Sequence, residues 1–71
     1  MNIVGPNIRR IRESKKLTQD ELAAHCNLAG FNISRSTLAK IEVKARRVTD
    51  IELQLFSKAL NVKIQDLFAK L

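Results

Sequence analysis

The sequence predicts an all-α domain, a compact bundle of five short helices. Strand-like alternation of apolar and polar residues is scarcely present in it. The chain has one proline and two glycines, which leaves little room for long flexible linkers. The third observation is a pattern that recurs along the chain and is typical of a helix start.

The recurring pattern is an apolar residue, a capping residue and a leucine four positions after the cap. It occurs with Thr18, Ser34 and Thr49 as caps, and a copy at Lys63 lacks a capping side chain. A Ser or Thr oxygen accepts a hydrogen bond from an unpaired N–H of the first turn, and the apolar pair packs across that turn. A glutamate three positions after Thr18 and Thr49 gives both sites capping-box spacing.

The element boundaries follow from these starts. Pro6 adds a first helix start, because its fixed φ and missing N–H suit the first helical position. Gly30 can supply the left-handed residue that ends the second helix. One domain over residues 1–71 is expected, with helices at about 6–15, 19–29, 35–43, 50–60 and 64–70. Helical spacing predicts a core of Ile8, Ile11, Leu22, Ala23, Cys26, Leu38, Ile41, Leu53, Phe56, Leu60, Leu67 and Phe68.

Composition narrows the class of protein. Hydrophobic residues make up 45% and charged residues 28%, a globular balance, and no apolar run approaches the length of a membrane span. A single cysteine, Cys26, excludes an internal disulfide and, beside His25 alone, predicts neither a metal site nor a cofactor. Cys26 is expected to be buried and to act as a small hydrophobic residue. A reducing cytoplasm is the predicted location.

The positive charge is concentrated in one part of the chain. The net charge is +6, with ten Lys/Arg against four Asp/Glu over residues 1–47 and three of each over 48–71. A solvated face is the alternative for any charge run. The confined surplus favours a footprint for a polyanion such as DNA, RNA or an anionic membrane. RNA and an anionic membrane are less favoured, because none of the three Phe lies on the basic face as a stacking platform.

The third predicted helix has a distinct outer face. At 100° per residue, Leu38 and Ile41 define the buried direction, and Ser36 and Lys40 point almost directly away from it. That outer face is short-chained and basic, without a carboxylate, which suits a helix that enters a major groove. Short helices also show one-signed faces by chance.

The only acid of this helix, Glu42, falls at the inner margin of the wheel. A carboxylate at a core margin needs a partner, and Arg9 and Arg12 of the first helix are the candidates. Arg12 is favoured, while from spacing alone a phosphate-facing or solvent-facing Arg12 is about equally supported.

Three segments together resemble a known family. "LTQDELAAHC", "ISRSTLAKIE" and "DIELQLFSKALNV" lie in register, and the likeness covers roughly residues 8–68. They resemble the helix-turn-helix domain of the Cro and phage-repressor type, the lambda-repressor-like fold of the xenobiotic-response-element family of transcriptional regulators. The resemblance implies a five-helix domain whose second helix sets its N-terminus against a DNA phosphate and whose third helix lies in the major groove.

The resemblance also implies residue roles. The bases would be read by Arg35, Ser36 and Lys40. The second helix would contact phosphate through Gln19, supported by the Thr18 cap. It implies an internal ion pair between Arg12 and Glu42. The other predicted phosphate contacts are Thr37, Lys44, Arg46 and Arg47, of which the last two have a solvated loop as their alternative.

Three features depart from the family pattern. The link "NLAGFNI" between the second and third helices is about five residues longer than usual. Lys44, in "IEVKARR", replaces a glycine, and it is still expected to take a left-handed conformation at small cost. Lys63 stands at a cap position, so the last helix is expected to depend on packing.

Helix four carries a second apolar stripe, which predicts a partner surface. Packing beneath the last helix accounts for part of it as the alternative. The predicted homodimer surface comprises Ile51, Leu55, Ala59, Phe68 and Leu71. No catalytic constellation is present, so the prediction is a non-enzyme, a repressor that binds a double-stranded DNA operator, with no membrane or small-molecule ligand. The alternative is a protein-interaction module, antitoxin-like or an adaptor, that uses this apolar face.

Overall fold

The computed structural model describes residues 4–69, which form helices joined by turns. The α-helices are α1 (Val4–Ser14), α2 (Gln19–Leu28), α3 (Arg35–Glu42) and α4 (Asp50–Leu60), and a 3₁₀ helix follows at Ile64–Phe68. Within the described residues there is no strand. The all-α prediction is confirmed, with four α-helices and a 3₁₀ helix in place of five α-helices.

The first helix begins earlier than predicted. It already includes Val4, so Pro6 lies inside the first described turn rather than at the first helical position. Proline is tolerated there because the N–H groups of a first turn have no partner within the helix. The predicted bounds of α4 are correct, and α2 and α3 each end one residue earlier than predicted.

The last element is a 3₁₀ helix, not the α-helix predicted over 64–70. It ends at Phe68, and Lys70 lies outside the described residues. Lys63 supplies no side-chain cap, and its own backbone N–H is held by the Asp66 carboxylate at 3.2 Å. A segment this short, without a Ser or Thr cap, adopts the tighter helix and depends on its packing.

The predicted Ser and Thr caps are present. The hydroxyl oxygens of Thr18, Ser34 and Thr49 each accept a hydrogen bond from the backbone N–H three residues later, at 3.1, 3.1 and 3.2 Å. Thr18 and Thr49 also form complete capping boxes with their glutamates. These bonds fix the first residue of α2, α3 and α4 and therefore the direction in which each helix leaves its turn.

All four α-helices are followed by a residue with positive φ, one or two positions after the last helical residue. These residues are Lys16, Gly30, Lys44 and Asn61, with φ of 59°, 92°, 66° and 56°. In each case the N–H of the next residue bonds to the carbonyl five residues earlier, at 2.8 to 3.1 Å. This is the Schellman arrangement, which satisfies carbonyls at a helix end. The left-handed conformations expected of Gly30 and Lys44 are confirmed.

The core draws apolar side chains from every helix. Ile8, Leu22, Leu38, Ile41 and Phe56 are fully buried. Most predicted core positions are confirmed, and two are wrong. The 3₁₀ helix buries Leu67 and turns Phe68 outward, so that Phe68 is 45% exposed. Leu53 is only half-buried, at the edge of the core.

The long link between α2 and α3 folds onto this core. Phe31 and Ile33 are buried, and the Phe31 ring meets Phe56 edge to face, with centroids 5.3 Å apart. The Asn27 side chain donates to the carbonyl oxygens of Ala23 at 2.7 Å and Ile33 at 3.2 Å. The extra length is therefore ordered by one aromatic contact and one bridging amide.

A buried asparagine ties the 3₁₀ helix to α1. Asn7 is 2% exposed, and its Nδ2 donates to the carbonyl oxygens of Leu67 at 2.9 Å and Ala69 at 2.7 Å. A buried amide with both donors satisfied fixes orientation as well as contact. The last described residues are thus held to the first helix by hydrogen bonds in addition to apolar packing.

Gly5 sets how closely α1 approaches α3. A Cβ atom at this position would collide with the carbonyl oxygen of Ile41 and lie only 3.1 Å from its carbonyl carbon. The helix backbones therefore meet at a point where only glycine fits. This contact places the C-terminal end of α3 directly against α1.

Replacing Gly5 with alanine is expected to destabilise the fold by about 1–3 kcal/mol, because overpacking against a backbone atom outweighs the helix propensity gained by alanine. Urea denaturation monitored by circular dichroism measures the change. Gly30→Ala is the matched control. Its Cβ meets open space, so only the left-handed φ costs about 1 kcal/mol. A Gly5→Ala protein at least as stable as the wild type would contradict the close contact.

Candidate nucleic-acid interface

The outer face of α3 is polar and solvent-exposed. Leu38 and Ile41 are buried on its inner side. Opposite them, Arg35, Ser36 and Lys40 are exposed. The side chains on this face are short or cationic, so the helix backbone can approach a partner surface closely.

Glu42, the only carboxylate of α3, is turned into the protein. It is 3% exposed, and its Oε2 accepts from Arg12 Nε at 2.8 Å while its Oε1 accepts from Arg12 Nη2 at 3.0 Å. Arg12 Nη1 also donates to the Leu17 carbonyl oxygen at 2.7 Å. The hydrogen bond to Glu42 is the main reason that the pKa of Arg12 lies above its usual value. The outer face of α3 therefore carries no negative charge of its own.

The first residue of α2 joins this cluster. Gln19 follows the Thr18 cap, and its Nε2 donates to Glu42 Oε1 at 3.1 Å. Gln19 is half-buried, with the rest of its side chain at the surface. The start of α2 and the end of α3 are therefore linked by a side-chain hydrogen bond, a contact that the sequence analysis did not predict. No periodicity signals a bond between residues 23 positions apart.

The segment after α3 presents further cations. Lys44 takes the left-handed conformation there, and both Lys44 and Arg47 are exposed. Arg46 instead forms a two-point pair with Glu52, at 3.0 Å from Nη1 to Oε1 and 2.7 Å from Nη2 to Oε2. Helical spacing does not reveal this pair, because its two residues are six positions apart and lie one in a loop and one in a helix.

Two other predicted contact residues have partners at the surface. Arg35 Nε lies 4.0 Å from Asp20 Oδ1, with both side chains well exposed, at 66% and 75%. An exposed pair at that distance contributes little energy and exchanges readily with another anion. Thr37 is half-buried, and its hydroxyl is hydrogen-bonded to Ser34 Oγ at 3.1 Å.

The residues predicted as a dimer surface differ in exposure, and two of them line different grooves. Ile51 is 72% exposed, while Leu55 and Ala59 are half-buried against the core. Phe68 lines a groove of about 570 Å³ with Val4 and Leu53. Ala59 lines a different, shallower groove beside α2, and Leu71 lies outside the described residues.

Residues 4–69 show little that indicates other chemistry. Cys26 is fully buried, and burial raises the pKa of its thiol to about 11. Among these residues no group of three or more His, Cys, Asp or Glu is placed to hold a metal ion. In the same part of the chain no helix has both the length and the apolar character needed to cross a membrane.

These features define a class of protein. Two consecutive helices are joined by a turn, the first begins with an anion-compatible cap, and the second exposes a face without carboxylates. This is the helix-turn-helix class, whose members place the second of these helices in a DNA groove.

Comparison with known families agrees with this classification. A helix-turn-helix family model, of the Cro/C1 type, matches residues 8–67, and the chain belongs to this family. The family consists of DNA-binding transcription regulators and is typically non-enzymatic. Neither the curated proteins nor the solved structures that were searched gave a significant match.

The Arg46–Glu52 pair predicts a pH-dependent stability. Hydrogen bonds from Arg46 hold the pKa of Glu52 below its usual value of 4.5. A carboxyl with a lowered folded-state pKa stabilises the fold above the unfolded-state value, and this stabilisation is lost as pH falls through the folded-state value. Glu52→Gln is therefore expected to be less stable than the wild type at pH 7, with the difference shrinking below about pH 4.5.

Thermal unfolding between pH 7 and pH 2.5 measures this difference. The matched control is Glu13→Gln, because Glu13 lies 3.6 Å from Arg9 in a pair with both side chains 55% exposed. Such a pair contributes little at any pH. A wild-type advantage over Glu52→Gln that is the same at pH 7 and pH 2.5 would show that the carboxylate charge is not responsible.

Proposed function

We propose that the protein is a sequence-specific regulator that represses transcription by binding a double-stranded DNA operator, with α3 in the major groove and the start of α2 against a phosphate. The observation that carries the proposal is the exposed, carboxylate-free face of α3 around Ser36 and Lys40. A carboxylate there would face phosphates, and long uncharged side chains would hold the backbone away from base edges. Family membership supports the same use of the helix.

Base reading is assigned to Arg35, Ser36 and Lys40. Arg and Lys donate to the O6 and N7 acceptors of guanine, and a serine hydroxyl can donate or accept. Arg35 must leave Asp20 to reach a base, a small loss because that pair is long and exposed. Specificity therefore comes from one arginine, one lysine and one hydroxyl on a single helix face.

The phosphate contacts are assigned to the two flanks of α3. On one side Thr18 and Gln19 lie at the positive end of the α2 dipole, where an anion is stabilised. On the other side Lys44 and Arg47 are exposed cations directly after α3. Two further proposed contacts are Thr37 and Arg46. For these two, binding competes with an existing hydrogen bond, to Ser34 and Glu52 respectively.

Binding as a homodimer completes the proposal. Ile51 and Phe68 are large apolar side chains exposed on α4 and the 3₁₀ helix, and a two-fold axis near one of them would bury it against its copy. Leu55 and Ala59 contribute less, because they already pack on the core. Two symmetric copies would read the two half-sites of a near-palindromic operator.

The test starts from a pool of randomised duplexes, from which the protein is expected to enrich a short near-palindromic sequence. On that sequence Lys40→Ala is expected to weaken binding by about 1–3 kcal/mol and to relax the preference at particular base pairs. Gln19→Ala is expected to weaken binding to all duplexes by the same factor. Fluorescence anisotropy on the enriched duplex and on its single-base variants measures both effects.

Lys63→Ala is the matched control, because it removes the same charge from an exposed site before the 3₁₀ helix. It is expected to change affinity less than twofold. If Lys40→Ala weakens binding to every duplex by the same factor, the base-reading role of Lys40 is wrong. An enriched asymmetric single site would overturn the dimer. If no sequence is enriched, the specific regulator is wrong, and a protein-interaction module using Ile51 and Phe68 becomes the better explanation.

A further inference from the structure

Glu42 has a second partner besides Arg12, and that partner stands at the proposed phosphate site. Its Oε1 accepts two hydrogen bonds, from Arg12 Nη2 at 3.0 Å and from Gln19 Nε2 at 3.1 Å. We infer that Glu42 is a positioning residue for DNA binding: it holds the Gln19 carboxamide in place for a phosphate. This inference rests on the proposed function and deepens it.

The anchor on which Gln19 rests is rigid. Glu42 is 3% exposed and held at two points by Arg12, and Arg12 is in turn fixed to the Leu17 carbonyl. Leu17 directly precedes the Thr18 cap, so the cluster also fixes the turn from which Gln19 emerges. A flexible glutamine attached to such an anchor has lost its rotamer freedom before DNA arrives, and binding then loses less entropy.

The chemistry of the carboxamide suits this role. Its nitrogen has two N–H donors, of which one is directed to Glu42, so one remains for a phosphate oxygen. The capping box uses the backbone N–H groups of Thr18 and Glu21. The N–H groups of Gln19 and Asp20 are therefore backbone donors at the helix start that the capping box leaves for such an anion.

The charge of Glu42 does not oppose a phosphate, because Arg12 neutralises it inside the protein. A hydrogen bond to an ionised acceptor is stronger than one between neutral groups, so the carboxylate holds Gln19 more firmly than an amide would. The same residue thus removes negative charge from the groove-facing side of α3 and orders a donor at the start of α2.

The first arm of the test uses the wild-type protein. Gln54 and Gln65 are exposed and serve as internal controls for Gln19. Nitrogen-15 relaxation of the side-chain amides is expected to find Gln19 restricted on the picosecond-to-nanosecond timescale and the other two mobile. A Gln19 side chain as mobile as the controls would overturn the inference.

The second arm is a double-mutant cycle in binding to a fixed 20-base-pair duplex at low salt. Glu42 alone cannot be replaced cleanly, because Arg12 would be left buried and unpaired. Replacing both partners, Arg12→Met with Glu42→Met, keeps a similar volume and leaves no unpaired charge buried, so the variant is expected to fold while Gln19 is released. This paired variant is expected to bind about fivefold more weakly than the wild type, as is Gln19→Met alone.

The inference is tested by whether the effects of Gln19→Met and of the paired replacement on affinity are coupled. With Gln19→Met already in place, the paired replacement is expected to cost less than about twofold more, since no carboxamide is left to position. If the losses multiply, Glu42 affects binding through the turn or the fold and the inference fails while the proposed function stands. A wild-type protein that binds no duplex at all overturns both.

Discussion

The buried pair of Arg12 and Glu42 is the interaction on which the rest of the structure depends. Burying two charges is costly unless they are matched in geometry, and here both carboxylate oxygens meet the guanidinium at 2.8 and 3.0 Å. The pair joins α1 to the end of α3 where Gly5 lets the two backbones approach. The approach of α3 to α1 is therefore set by this ion pair and by the absence of a side chain at Gly5.

The same pair determines the charge of the surface. An ordinary exposed helix mixes acids and bases on its outer face. In α3 the only acid is directed inward, so its outward face presents hydroxyls and cations. The structural requirement for a partner to Arg12 and the functional requirement for a face compatible with DNA are satisfied by one residue. A substitution at Glu42 is expected to affect folding and binding together.

Short helices in this chain begin and end on local signals. Side-chain caps begin three of them, and a residue with positive φ ends all four α-helices. Only one of those residues is glycine, so Lys16, Lys44 and Asn61 accept a strained conformation that the back-bonded turn stabilises. Fixed helix starts and ends of this kind leave the helices little freedom relative to one another.

Local features of the fold could be predicted from the sequence, because they depend on neighbouring residues. The caps at Thr18, Ser34 and Thr49 and the inward direction of Glu42 follow from spacing alone. The resemblance to a family then favoured Arg12 as its partner. Gly5 could not be understood in advance, since its role appears only where two helices meet.

The contacts that escaped prediction are those between distant parts of the chain. Asn7 reaches carbonyl oxygens 60 and 62 residues away, and Gln19 reaches Glu42 across the helix-turn-helix. Neither an asparagine nor a glutamine in the sequence indicates which distant group its side chain will bond. The failure of Phe68 as a core residue has a different cause, because a 3₁₀ helix has three residues per turn and moves the buried face.

If α3 and the start of α2 form one DNA-binding surface, a duplex will perturb both of them together. Titration of nitrogen-15-labelled protein with a short duplex follows this at every backbone amide. The largest chemical-shift changes are expected at residues 18–21 and 35–40, with α4 little affected. Largest changes on α4 and the 3₁₀ helix, with α3 unchanged, would contradict it.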